Sequence, residues 1–265
     1  MKKQLLFALV ACAASCAWAA EVYSENVVGY TKVTVQPGLN LLGSSFVQVG
    51  SGEALDINDA IQNNGLPGLT EDFSRFATTI RLWTGTSYDT YGYVTEAQAN
   101  DEENWGWPES ANKWLLSDMS DIAAVQVPAG DGFWVQTTGT GTITLVGQVP
   151  AAATTDVTIN PGFNLVSCPY AKDINIQDVK VNGLPGLTED FSRFVTTIRL
   201  WTGTSYDTYG YITAEQANDE ENWGWPESGD KWLLGDMSDI ADVTIPAGAG
   251  FWIQSTGTGT VTFTK

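Results

Sequence analysis

Hydrophobic and polar residues alternate in short runs along most of this chain, and glycine or proline separates one run from the next. Alternation with a period of two is typical of β-strands that bury one face. The clearest predicted hairpin joins residues 78–83 to residues 87–94 across a Thr-Gly-Thr turn. In its first strand Ile80 and Leu82 point to one face and Trp83 to the other. One face of the hairpin can therefore pack in the core while the other face is exposed.

The same pattern predicts about seven short strands in the first half of the chain. They cover residues 27–35, 39–46, 78–83, 87–94, 123–127, 133–137 and 142–146. A short helical turn is predicted at 55–61, where an Asp could cap its start. Many short strands separated by Gly and Pro turns indicate an all-β fold, either a sandwich or a barrel.

This arrangement occurs twice. Residues 65–147 return as residues 183–265, with 17 of the 83 aligned positions changed and 66 identical. The upstream strands return as well, at a slightly different offset, so the repeat begins before the near-identical block. Each copy is long enough to enclose its own core. We therefore predict two tandem β domains, residues 21–148 and residues 156–265, joined by a linker at 149–155.

The first residues have the layout of a secretory signal peptide, a positive tip followed by a short apolar run. Ala17-Trp18-Ala19 supplies a cleavage pattern, so residues 1–20 are predicted to be removed. Alternatively, the run ending at Cys12 resembles a lipobox, and Cys12 would then carry a lipid. Either interpretation predicts an exported protein that is extracellular, periplasmic or on the cell surface. No later apolar run reaches the roughly 18 to 20 residues of a membrane-spanning helix.

Acidic residues outnumber basic ones by 31 to 12, and the chain has no histidine. Such a charge argues against nucleic acid as a partner, because a surface of this sign repels phosphates. The lack of histidine removes the usual general base and the usual zinc ligand. Cys168 is the single cysteine beyond the leader, and its counterpart is Ser44. We expect Cys168 to be buried and without a disulfide.

Two identical acidic loops, residues 100–110 and 218–228, carry the strongest candidate chemistry. Flat indoles can stack on a neutral sugar while carboxylates bind its hydroxyls. Two such loops on one chain would favour avidity. The competing interpretation is that the indoles fold back and fill their own domain. The predicted binding residues are Asp101, Glu102, Glu103, Trp105 and Trp107, with their copies Asp219, Glu220, Glu221, Trp223 and Trp225.

The same loop is compatible with other functions. Its carboxylates could hold Ca²⁺, but the spacing of an EF-hand is lacking, and no metal ligand is assigned. A glycoside hydrolase would use two of Glu102, Glu103 and Glu109. Adjacent exposed acids are commonplace in so acidic a chain, so we predict a non-enzymatic protein with no cofactor. Its partner would be a polysaccharide or another surface protein. The alternative is a structural envelope or extracellular matrix protein that self-assembles through exposed aromatic hairpins.

Several motifs occur in both copies at corresponding positions. They are Pro37-Gly-Leu-Asn-Leu41, Trp83-Thr-Gly85 with Tyr88, and Pro128 through Val135, and in the second copy Pro161-Gly-Phe-Asn-Leu165, Trp201-Thr-Gly203 with Tyr206, and Pro246 through Ile253. This set resembles a repeat found in secreted and surface proteins of Gram-negative bacteria. The resemblance implies an extracytoplasmic location and an all-β fold, and it supplies no active site to transfer. Ser45 departs from the pattern, which has the proline that the second copy keeps as Pro169.

Overall fold

The computed structural model describes residues 27–265 and is all-β, with 46% strand and 9% helix. The first copy contains ten strands: β1 Val28–Val35, β2 Gly38–Gly43, β3 Leu55–Asp56, β4 Ile61–Asn64, β5 Thr78–Trp83, β6 Tyr88–Val94, β7 Lys113–Leu116, β8 Gln126–Val127, β9 Gly132–Thr137 and β10 Gly141–Gln148. The second copy repeats them: β11 Thr154–Ile159, β12 Gly162–Ser167, β13 Ile174–Asn175, β14 Lys180–Asn182, β15 Thr197–Trp201, β16 Tyr206–Ile212, β17 Lys231–Leu234, β18 Thr244–Ile245, β19 Gly250–Ser255 and β20 Gly259–Thr264.

The strands form small antiparallel sheets in a ring. In the first copy a three-stranded sheet has the order β1-β10-β4, a five-stranded sheet has the order β2-β9-β5-β6-β7, and β3 pairs with β8. The second copy has the same three sheets, β11-β20-β14, β12-β19-β15-β16-β17 and β13-β18. The expected sandwich or barrel is therefore confirmed at the level of an all-β architecture of small sheets.

One apolar core lies between the three-stranded and five-stranded sheets of each copy. In the first copy it contains Ile80, Val135 and Ile143, all fully buried. The alternation predicted for β5 holds, because Ile80 faces this core while Trp83 faces the opposite side of the sheet. Trp114 is fully buried in this core, and its ring N–H donates to the Ile61 carbonyl over 3.0 Å.

The first copy has ten strands instead of the seven predicted, because β3, β4 and β7 were not expected. Each is only two to four residues long, too short for a clear period in the sequence. The predicted strand 123–127 shortens to β8. Ala123 bonds instead to the Trp114 carbonyl and to the side chain of Asn58. The predicted helical turn is the helix Ile57–Ala60, whose cap Asp56 accepts from the Asn58 N–H over 2.8 Å.

The predicted signal peptide, with Cys12, lies outside the described residues. Between residues 27 and 265 no helix is long and apolar enough to cross a membrane.

Cys168 is buried and free, as predicted, and burial raises the pKa of its thiol. It follows β12 rather than lying within it. Of the predicted linker, Thr154 and Thr155 already belong to β11.

Candidate functional site

The acidic loop of the first copy leaves β6 through a capped helical turn. Thr95 caps the helix Glu96–Ala99, and its hydroxyl accepts from the Gln98 N–H over 3.3 Å. The Gln98 amide also bonds to both the N–H and the carbonyl of Leu69, each over 2.9 Å. Gln98 thus ties the base of the loop to a neighbouring segment, and Gln216 makes the equivalent bonds to Leu187.

Asp101 organises the turn that follows. Its carbonyl accepts from the N–H groups of Trp105 and Gly106 over 2.8 and 2.9 Å. Its carboxylate accepts from the backbone and side chain of Asn104 over 3.1 and 3.0 Å. These bonds lower the pKa of Asp101, because they stabilise its charged form. Asp219 has the same role in the second copy, with Asn222 as the donor.

Trp105 lies half-buried against its own sheet. It packs on a small apolar cluster around Leu69, Val94 and Leu115, and its ring centroid is 6.5 Å from that of Phe73. Its ring N–H donates to the buried Ser110 hydroxyl over 2.9 Å. Trp223 is held in the same way by Ser228. The loop therefore folds back onto the sheet, in the manner of the competing interpretation, while leaving part of each indole accessible.

Trp107 differs from Trp105 in the hydrogen bonding of its ring N–H. The two rings are nearly parallel, 22° apart with centroids separated by 6.5 Å. Trp107 is also half-buried, but its ring N–H donates to no acceptor between residues 27 and 265. This unpaired nitrogen is not buried, so solvent reaches it. Trp225 of the second copy has the same environment.

The remaining predicted carboxylates are held less tightly. Glu102 and Glu103 are exposed at the turn, as are Glu220 and Glu221 in the second copy. Glu109 is exposed on the 3-10 turn Pro108–Ser110. Across residues 27–265 no three Asp, Glu or Cys side chains gather as metal ligands would. The calcium hypothesis therefore gains no support from the described part of the chain.

A second aromatic feature lies where the two copies meet. Trp83 donates its ring N–H to the Phe163 carbonyl over 2.9 Å, and Trp201 donates to the Leu39 carbonyl over 3.0 Å. Trp83 and Trp201 also make edge contacts with Trp252 and Trp134, with centroids 5.3 and 5.5 Å apart. These reciprocal contacts relate the copies by an approximate twofold axis.

Gly43 lies at a close approach of the two copies. A Cβ on this glycine would lie 2.1 Å from the Ser167 Cβ, nearer than any side chain can come. The Gly43 N–H donates to the Gly248 carbonyl over 2.8 Å, and the Ser45 hydroxyl donates to the Cys168 carbonyl over 2.9 Å. The two copies can therefore approach this closely only with a residue that lacks a side chain at position 43.

The outer side of this junction exposes an aromatic surface that sequence reasoning did not single out. We name it the junction surface and define it by Leu39, Tyr88, Phe163 and Tyr206, which are 38 to 40% exposed. The signal for it was the second face of the predicted hairpin, which carries Trp83. That signal could not show that the hairpins of the two copies would meet.

Comparison with protein-family models, with curated proteins and with solved structures finds no match to this chain. The resemblance to secreted and surface repeats therefore stays a prediction. The fold and these sites define the molecule as an all-β repeat protein that carries two like aromatic loops and one aromatic junction.

Proposed function

We propose that this chain is an exported, non-enzymatic binding protein that recognises neutral glycans through its two acidic loops. The observation that carries the proposal is the partly exposed indole of Trp107, repeated at Trp225, with a ring N–H open to solvent. An accessible aromatic face beside free carboxylates is what stacking on a sugar and bonding to its hydroxyls require. Trp105 below it is fixed by Ser110, so the site needs little ordering on binding.

Replacing Trp107 and Trp225 together by alanine tests this proposal. We expect retention on an immobilised neutral polysaccharide to be lost, because the variant lacks both indole faces that would stack on the sugar. Each single variant should keep part of the retention, since the other loop remains. Affinity electrophoresis against a panel of neutral and acidic polysaccharides measures the effect.

Tyr30 offers the matched control, because it is an aromatic residue 71% exposed outside the loops. Tyr30→Ala should leave retention unchanged. If the Trp107 and Trp225 double variant stays folded by circular dichroism and is still retained like the parent protein, the loops are not the glycan site.

We also infer that each copy is a separate β domain of the sandwich or barrel type. In the described chain, every sheet takes its strands from one copy, and so does each of the two main cores. The smaller cluster of Leu41, Trp134, Leu165 and Trp252 is shared between them. This pattern supports two domains that meet through an apolar contact, with residues 149–155 as their connection.

A second candidate function, self-assembly as a structural surface protein, is favoured by the junction surface. Exposed apolar side chains grouped in one place are a common mark of association sites. Leu39→Ser combined with Phe163→Ser should then abolish concentration-dependent association in sedimentation velocity. Val49→Ser, at a residue 48% exposed elsewhere, should not change it. A parent protein that stays monomeric over a hundredfold range of concentration would contradict this function.

A further inference from the structure

A groove of about 490 Å³ lies between the two copies, on the other side of the five-stranded sheet from the acidic loop. Trp83 and Phe163 border it, and the hydrogen bond from the Trp83 ring to the Phe163 carbonyl connects the two walls. Val157 and Leu165 of the second copy contribute to its apolar lining. The groove therefore exists only because the copies are packed together.

Two carboxylates face this groove from the same side of the first copy's sheet. Leu82 pairs with Asp89 on β6 and with Phe133 on β9. Asp131 lies two residues before Phe133 and so points to the same face. Asp89 and Asp131 are thus separated by the width of β5, and both line the groove. They form two separate acceptor positions rather than one cluster.

Asp131 is the more unusual of the two. It is partly buried, and within residues 27–265 its carboxylate accepts no hydrogen bond. Its carbonyl accepts from the Ser44 N–H and the Ser167 hydroxyl over 2.9 and 3.0 Å, which fixes the backbone beside the groove. Its carboxylate oxygens are not fully buried, but partial burial without a hydrogen bond disfavours the charged form and raises the pKa of the carboxyl to about 6. The second copy, otherwise nearly identical, has Ala249 at this position.

Among the described residues, no cationic side chain lines the groove to balance these charges. Its lining contains neither lysine nor arginine, and the chain has no histidine. A divalent metal ion would need six or more oxygen ligands, whereas the two carboxylates lie on separate strands. Aromatic walls favour an organic cation instead, because aromatic faces attract ammonium groups. The Arg199 guanidinium already lies over one face of Phe163, 5.2 Å from the ring centroid, so this attraction falls to Trp83 while Phe163 offers apolar contact.

We propose that this groove binds a primary alkylammonium ion, with the ammonium group on Asp131 and the aliphatic body against Trp83 and Phe163. The class of ligand is an aliphatic amine, either free or as the side chain of a lysine in a partner. Charge complementarity and the apolar walls together carry the assignment. This site is separate from the glycan loops and does not depend on them.

Isothermal titration of the full chain with n-pentylamine at pH 8 tests the proposal. We expect one saturable site for n-pentylamine and none for n-pentanol, which has the same body without the charge. Asp131→Asn should weaken binding at least tenfold. A peptide with a single lysine would then show whether a partner's side chain can occupy the same site, since it should compete with the amine.

Glu71→Gln is the matched control, because it removes one exposed carboxylate outside the groove. It should leave the affinity for n-pentylamine unchanged, and so distinguish the groove from general attraction to an acidic protein. Equal binding by the Asp131→Asn variant, equal binding of n-pentanol, or no saturable heat at millimolar amine would each overturn the proposal. Because Asp131→Asn removes an unpaired charge, the variant should fold at least as well as the parent protein.

Discussion

Replacing Trp114 by alanine should lower the free energy of unfolding by about 3 to 5 kcal/mol, the range seen when large aromatic residues are removed from protein cores. Trp114 is fully buried on β7, packs against Tyr93 with centroids 5.0 Å apart, and donates its ring N–H to the Ile61 carbonyl. Its backbone N–H donates to the Asn58 side chain over 2.7 Å. Urea unfolding followed by circular dichroism measures the loss.

Trp114→Phe separates the packing from the hydrogen bond. It keeps an aromatic ring but leaves the Ile61 carbonyl without its donor, so the loss should be smaller, on the order of 1 to 3 kcal/mol. Trp232→Ala is the matched variant of the second copy, where the ring N–H donates to the Val179 carbonyl over 2.9 Å. A loss below about 1 kcal/mol for Trp114→Ala would contradict the account of the core.

The pair of alanine variants also tests the proposal of two domains. If the copies unfold separately, Trp114→Ala should shift one thermal transition and Trp232→Ala the other. If they unfold together, both variants should shift a single transition to a similar extent. The shared cluster around Trp134 and Trp252 works in favour of the second outcome, because its burial is lost when either copy unfolds.

Sequence patterns predicted the longer strands well because their side chains alternate between a core and a second face. Ile80 and Val135 follow that rule, and both are fully buried. The strand β3 escaped prediction because two residues carry no periodicity, and β8 is shorter than the strand predicted at 123–127. Their existence depends on backbone partners far along the chain, as when Leu55 pairs with Val127.

The candidate sites were predictable to different degrees. The turn at Asp101 could be suspected from composition, since Asp and Asn favour local side-chain bonds to the backbone. The half-burial of Trp105 depends on Phe73, which lies on a separate segment, so local sequence cannot supply it. The local sequence gives no indication of the groove at Asp131. It requires that Trp83 of one copy reach Phe163 of the other, a contact that no local pattern encodes.

Asp131→Asn should stabilise the protein at pH 7 by about 2 to 3 kcal/mol, if the whole difference in pKa is expressed in stability. Burial raises the pKa of Asp131 from 3.8 to about 6, with no hydrogen bond to offset it. The folded protein therefore holds this proton more tightly than the unfolded chain. The contribution of Asp131 to the free energy of unfolding is therefore largest below pH 4. It falls as the pH rises toward 6 and is constant above that.

The difference in stability between parent and variant is the quantity to measure, because other carboxylates titrate in the same range. The lowered pKa values of Asp101 and Asp219 act in the opposite direction, and they are common to both proteins. We expect the difference in melting temperature to be near zero at pH 4 and to grow up to pH 7. Glu71→Gln, which removes an exposed carboxylate outside the groove, is the control variant for the same series of measurements. A constant difference across this range would mean that the Asp131 carboxylate is solvated as in the unfolded chain, and then the groove would lack the unbalanced charge that favours a cation.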